Sequence, residues 1–484
     1  MGEKDKTLRG LREFSILYSK SRLGVAGLVL LLIFIAIGLL APIITPYDPQ
    51  TSMQLANFRA RPIWLDPSIP PNMYNVASPG FDSAASLGEW IIMDTGTVVE
   101  WSQEGFPGIP LVEEGSGLGS VQISTTSANG EGVATIENKL TYGYNPPHRF
   151  SVHIAYKAVV SGDATWKAQV IVKQIKGTEL VLWDSGTQRG STNWVLPKPQ
   201  IDTNDATLRI RLFKDILSDA SKIFPQKGDY SLILRITTNT QGGSVTFYVD
   251  DFSARIWGDA FGYLGTDNYG RDIFTQLVYG SRISILIGVF SAVIAVALGL
   301  LVGLTSGYIG GWVDELLMRF NDILLTIPGL PLLIVLTAVI GPSIVSVVVL
   351  IGFLGWMGIA RLIRSQVLSL KTKAFVEAAR ASGGSTGHII RKHLVPNVIT
   401  MAYTQLALTV PGAIVTEAAL SFLGLGDPFL QTWGKMLHDV QYYGAVSEWW
   451  WAIPPGLCIA LLSMAFVFIG YAMDDILNPK LRGR

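Results

Sequence analysis

One cysteine in 484 residues, Cys458 within an apolar run, excludes a disulfide framework and a cysteine-based metal site. No G-x-x-x-x-G-K-S/T occurs, so the chain cannot cradle nucleotide phosphates in a P-loop. H-E-x-x-H and G-x-S-x-G are also missing, and the histidines, His148, His153, His388, His393 and His438, are scattered. His388 and His393 read as members of a basic segment rather than as ligands, so no metal, cofactor or catalytic residue is expected. Net charge is absent as well: 37 basic residues balance 37 acidic ones, and no global field argues for nucleic acid. Charge is nearly missing from the long apolar runs, which argues against a proton relay or ion-coupled carrier.

What is abundant is apolar surface. At 49% hydrophobic residues and a mean hydropathy of +0.38, the chain reads as a membrane protein with a second, soluble part. Residues 1–22 carry Lys4, Lys6, Arg9, Arg12, Lys20 and Arg22, and the 22 residues Leu23 to Ile44 then run without a charge. A cleavable signal would have a shorter apolar core of about 7–15 residues. The reading is therefore a cytoplasmic N-terminus (1–22) and an uncleaved first span (23–47), closed by Pro42, Pro46 and Pro49. Five further runs, Ile283–Gly307, Ile323–Gly341, Pro342–Ala360, Val398–Thr416 and Trp449–Met473, complete six crossings. Alternation places residues 361–397 inside, with Arg361, Arg364, Lys371, Lys373, Arg380, Arg391 and Lys392, whereas the outer stretch 421–448 has only Lys435. The tail, with Lys480, Arg482 and Arg484, falls inside too. Gly299, Gly303 and Gly307 recur every four residues, a small-residue face for close helix packing. Pro328, Pro331 and Pro411 interrupt two spans, and Trp449, Trp450 and Trp451 read as interfacial anchors.

Between the first and second spans the text changes. Residues 48–262 hold short alternating segments, among them Ser151–Ala158, Lys167–Gln174, Thr207–Phe213, Tyr230–Thr237 and Ser244–Phe252, separated by Gly, Asn, Asp and Pro. This predicts an inserted all-β antiparallel sandwich, extracytoplasmic and able to fold on its own. Its last strand, with Asp250 and Asp251, resembles the closing strand of jelly-roll carbohydrate-binding modules. Strict alternation would send those two carboxylates to opposite faces, away from a shared calcium ion. Seven tryptophans lie in the insert, and sugar stacking would require two or three of them exposed on one face. The insert's place after the first span favours docking of a binding protein, or gating, over glycan binding, and anchoring to a cell-wall glycan is a further alternative.

The most informative stretch is Lys373 to Asn397, KAFVEAARASGGSTGHIIRKHLVPN. Phe375, Val376 and Ala379 share a helical face, Glu377 and Arg380 take the wetter side, and Gly383 and Gly384 end the helix. Glu377-Ala378-Ala379, Gly383 and Pro396 resemble the EAA loop of membrane subunits of ATP-binding-cassette importers, with His393 and Val395 departing from its usual residues. The segment 264–282, with Gly265-Thr266-Asp267 and Gly270-Arg271-Asp272, and Glu417–Gly426 are similar to the dipeptide, oligopeptide and nickel branch of that family. The first of these reads as a turn and short interfacial helix, and Glu417-Ala418-Ala419 as a second, irrelevant Glu-Ala-Ala.

The resemblance implies a six-helix type I-like permease core (263–484, with a coupling loop at 361–397) in the cell membrane. It also implies a second homologous permease, two ATPase subunits that bind the ATP, and an extracytoplasmic substrate-binding protein. Glu377, Ala378, Ala379, Arg380, Gly383 and Pro396 become the ATPase-coupling residues. Short peptides are the implied cargo; oligosaccharides or nickel are the alternative, and an extracellular sensor is a distant one.

Overall fold

The computed structural model describes residues 16–75, 81, 83–107, 119–126 and 129–477. The basic N-terminal residues up to Arg12 and the tail from Lys480 lie outside them. The chain divides into two compact units, one of residues 54–271 and one of the segments on either side. The chain enters through α1 (Arg22–Leu39), capped by the Ser21 side chain, which accepts from the Gly24 amide.

The insert is a two-sheet antiparallel sandwich. Its strands among the described residues are β1 (Met73–Tyr74), β2 (Ile91–Thr95), β3 (Thr97–Ser102), β4 (Ser120–Thr125), β5 (Asn129–Tyr142), β6 (Arg149–Ser161), β7 (Ala164–Lys173), β8 (Glu179–Asp184), β9 (Thr192–Val195), β10 (Ile201–Asp202), β11 (Gly228–Gln241) and β12 (Ser244–Trp257). One sheet runs β10-β6-β12-β4-β3, with β1 on β12 and β9 on β6; the other runs β2-β5-β11-β7-β8. Inward residues from both sheets, including Val121, Ile136, Val170, Leu234 and Phe247, form one continuous core.

Two sequence readings fail here. Thr207–Phe213 is not a strand but the end of helix α2 (Ala206–Phe213), because Asp205 accepts from the Thr207 amide as N-cap and Lys214 stops the helix in the left-handed region, at φ 55°. Asp250 and Asp251 do not lie on opposite faces of a regular strand. The β12–β6 register shifts between Asp250 and Ser253, Asp251 has φ 50°, and both carboxylates are buried. Asp250 accepts from the Phe106 amide at 2.7 Å.

The membrane unit continues with α3 (Ile273–Ile309), α4 (Gly311–Thr326), α5 (Gly329–Ile340), α6 (Ile344–Leu370), α7 (Ala374–Ala381), α8 (Val395–Phe422), α9 (Trp433–Tyr442) and α10 (Trp449–Leu477). Among the described residues five helices are long and apolar enough to cross a membrane, and α4 with α5 makes a sixth candidate bent by 89°. The crossing expected over Ile323–Gly341, with interrupting prolines, is broken at Ile327-Pro328, where proline removes a backbone donor and its ring excludes the preceding residue from helix. Nor is there a separate interfacial helix before Ile283. Asp272 accepts from the Thr275 amide and starts α3 ten residues earlier. Of the three adjacent tryptophans only Trp449 is exposed; Trp450 and Trp451 pack inside the unit, so they are not surface anchors.

Candidate coupling site

The α7 segment is built to present one face. Val376 is fully buried and joins Ile363, Val367, Ile389 and Leu394 in a core cluster, with Ala379 half-buried against it. Glu377, Ala378 and Arg380 are exposed, and Phe375, expected on the inner face, is 43% exposed instead. Glu377 in the first turn and Arg380 in the last complement the helix dipole. Arg380 also stands over the Tyr308 ring of α3 at 5.7 Å, tying α7 to a span. Gly383 adopts φ 80° with open space around it, and the Gly384 amide donates back to the Ala379 carbonyl at 3.0 Å, closing the helix. Pro396 opens α8 and is exposed. The short helix α7 thus has a firmly packed back and an exposed Phe-Glu-Ala-Arg front.

Behind it, α3 and α6 are in close contact through the three glycines. A Cβ on Gly299 would lie 2.7 Å from Ile359 Cβ, on Gly303 2.7 Å from both the Ala360 carbonyl and Ile363 Cβ, and on Gly307 2.9 Å from Val367 Cβ. Two arginines assigned by sequence to a basic loop lie instead on α6 and hold α4. Arg364 makes a bidentate pair with Asp314, both bonds 2.6 Å, and Arg361 pairs with Asp322.

The family model for the inner membrane component of binding-protein-dependent transport systems matches residues 281–483, and the model for the N-terminal transmembrane domain of oligopeptide transport permease C matches residues 12–67. The dipeptide transport system permease protein of Bacillus subtilis (strain 168) is 40% identical over 222 residues, which is 46% of this chain and 69% of that protein. The chain belongs to this family of transport permeases. The oligopeptide transport system permease protein of Haemophilus influenzae (strain ATCC 51907 / DSM 11121 / KW20 / Rd) is 41% identical over 226 residues, covering 46% of this chain and 72% of that protein. Among solved structures, the inward-facing MetNI methionine ABC transporter matches at a TM-score of 0.35 and 22% identity, over 42% of this chain and 94% of that one.

One residue of the permease, set aside in the sequence as part of an irrelevant Glu-Ala-Ala, gains a structural role. Glu417 of α8 is 2% exposed, accepts from the Ser421 hydroxyl at 2.7 Å and lies beside Thr432. It anchors the 423–432 loop, which also reaches two other spans: Asp427 accepts from the Ile344 amide at the start of α6 (3.1 Å), and Gln431 donates to Gln276 of α3 (2.8 Å). Gly426 packs so closely that a Cβ would meet Ser421 Oγ at 2.3 Å. The signal available in the sequence was an acid within an apolar run, which membrane energetics makes costly unless it serves a purpose.

Proposed function

We propose that this permease imports short peptides across the cell membrane, driven by ATP hydrolysed in two separate ATPase subunits. The observation that carries the reading is the exposed front of α7, at the Glu-Ala-Ala sequence, on a helix whose back is locked into the spans by Val376 and by Arg380 over Tyr308. Peptide cargo is favoured by relatives whose names specify dipeptide and oligopeptide transport. The basic residues flanking the coupling segment support an arrangement with both termini and α7 in the cytoplasm and residues 48–262 outside. A second homologous permease would complete the path and an extracytoplasmic binding protein would deliver the peptide. Closure of the ATPases would push α7, and the α3–α6 seam would carry that movement into the spans.

The test is Gly383→Trp. Nothing lies within 4 Å of a Cβ there, so the change does not crowd the permease itself; it strains the φ 80° turn and enlarges the contact surface. The variant is expected to insert normally while peptide uptake falls to background, either with ATP hydrolysis uncoupled or with the ATPases lost. Normal uptake with the ATPases still bound would refute the coupling role.

A further inference from the structure

The insert holds a cavity that peptide import does not use. The tryptophans form no exposed platform: Trp90, Trp166, Trp183 and Trp257 are buried, Trp101 and Trp194 half-buried, and only Trp64 is exposed. Three of them instead wall a cavity of 640 Å³ beside β6, β7, β8 and β9, within the range of about 300–1,000 Å³ typical of small-molecule sites.

Its aromatic lining divides in two. The Trp166 indole N–H is satisfied, donating to the Gly190 carbonyl at 3.0 Å. Tyr156, Trp183 and Trp194 line the same cavity, and among the described residues no protein group takes up their polar tips, which remain open to solvent. Three such tips around a single space, free of protein partners, are available to exchange water for a ligand rich in hydroxyls. The rings are held in advance. Tyr156 stacks on Phe247 at 5.6 Å and 8° and meets Trp183 at 5.2 Å, while Trp194 is braced edge-on by Phe106 at 6.0 Å.

Charge narrows the ligand class. Asp184 is already occupied by Lys167 at 3.0 Å, the Gln169 amide at 2.7 Å and the Gly186 N–H at 2.8 Å, so it does not call for a cationic ligand. A peptide with free termini would need charged partners of both signs, and of the charged groups in the lining only Lys198 is left to serve. A sugar ring fits what is present: its C–H face lies against an aromatic ring and its hydroxyls accept from the indole N–H groups and exchange hydrogen bonds with the tyrosine.

We propose that the insert binds a short neutral oligosaccharide in this cavity, with Trp194 as the stacking wall and Tyr156 and Trp183 as hydrogen-bonding groups. The site is independent of the coupling mechanism and of the cargo. The full chain in lipid nanodiscs would be titrated calorimetrically with cellotriose, maltotriose, laminaritriose and chitotriose, and with trialanine as the peptide probe. At least one trisaccharide is expected to bind saturably, with Trp194→Ala weakening it about tenfold or more and Tyr156→Phe, which removes one hydroxyl and leaves the ring packing intact, weakening it severalfold. The proposal is overturned if no trisaccharide binds at about 10 mM, far above a useful affinity. It is equally overturned if Tyr156→Phe leaves saccharide binding unchanged, or if trialanine binds in the trisaccharides' place and is lost in the variants.

Discussion

Gly303→Leu is expected to prevent the permease unit from packing. A single Cβ at this position would sit 2.7 Å from the Ala360 carbonyl and 2.7 Å from Ile363 Cβ, distances that backbone and a β-branched carbon cannot relieve by a rotamer change. Overpacking costs about 1–3 kcal/mol when the surroundings adjust. Here adjustment means separating α3 from α6, which also loosens the contacts at Gly299 and Gly307, so the loss should exceed that range. In membranes close packing of small residues supplies much of the association between helices, with no water-driven term to replace it. The measurement is thermal aggregation of the detergent-solubilised chain, with Gly358→Leu as control. Gly358 lies on the same α6, but a Cβ there meets nothing within 4 Å. Loss of folded protein in the first variant alone is the predicted result; equal stability of the two would mean that α3 and α6 are not tightly apposed.

Glu417→Ala should cost nearly as much activity, by a different route. The substitution leaves a cavity inside the unit, removes the acceptor of the Ser421 hydroxyl and frees one anchor of the 423–432 loop. An unpaired buried polar group costs about 1–3 kcal/mol, with the cavity in addition. Glu417→Gln keeps both the volume and an acceptor for Ser421, so it should recover most of the stability. Comparing ATP-driven peptide uptake in the two variants separates shape from charge. The account expects little uptake for alanine and substantial uptake for glutamine. Equal loss in both would mean that the negative charge itself is required, and that Glu417 does more than hold the loop.

The contrast between these positions and α7 explains what could be read from the sequence. The α7 helix was legible because its start and stop are carried by local residues, Gly383 above all, with fixed conformational demands. Most spans were legible from apolar length, which burial in a bilayer requires. Hydropathy is blind, however, to backbone chemistry within a run: Pro328 could be read as an interruption of the span, but not the 89° bend that turns one crossing into α4 and α5. Leu208, Ile210 and Leu212 alternate as a strand would, yet a capping aspartate outweighed that period and made a helix. The β-bulge after Asp250 likewise escapes any period-two reading. Glu417 was missed because its importance depends on where the 423–432 loop folds back, a long-range contact that no local pattern encodes.

The central claim, that α7 is the surface through which separate ATPases act on this permease, is most directly tested by cross-linking. Cys458 is the only cysteine in the chain, so a Cys458→Ser background carrying Ala378→Cys places one thiol on the exposed face of α7. In the assembled transporter, with a cysteine introduced on the ATPase surface, oxidation is predicted to join permease and ATPase in high yield and to stop peptide uptake until the bond is reduced. No bond from Ala378→Cys, with efficient bonding instead from a thiol at Trp64 on the insert, would contradict the account.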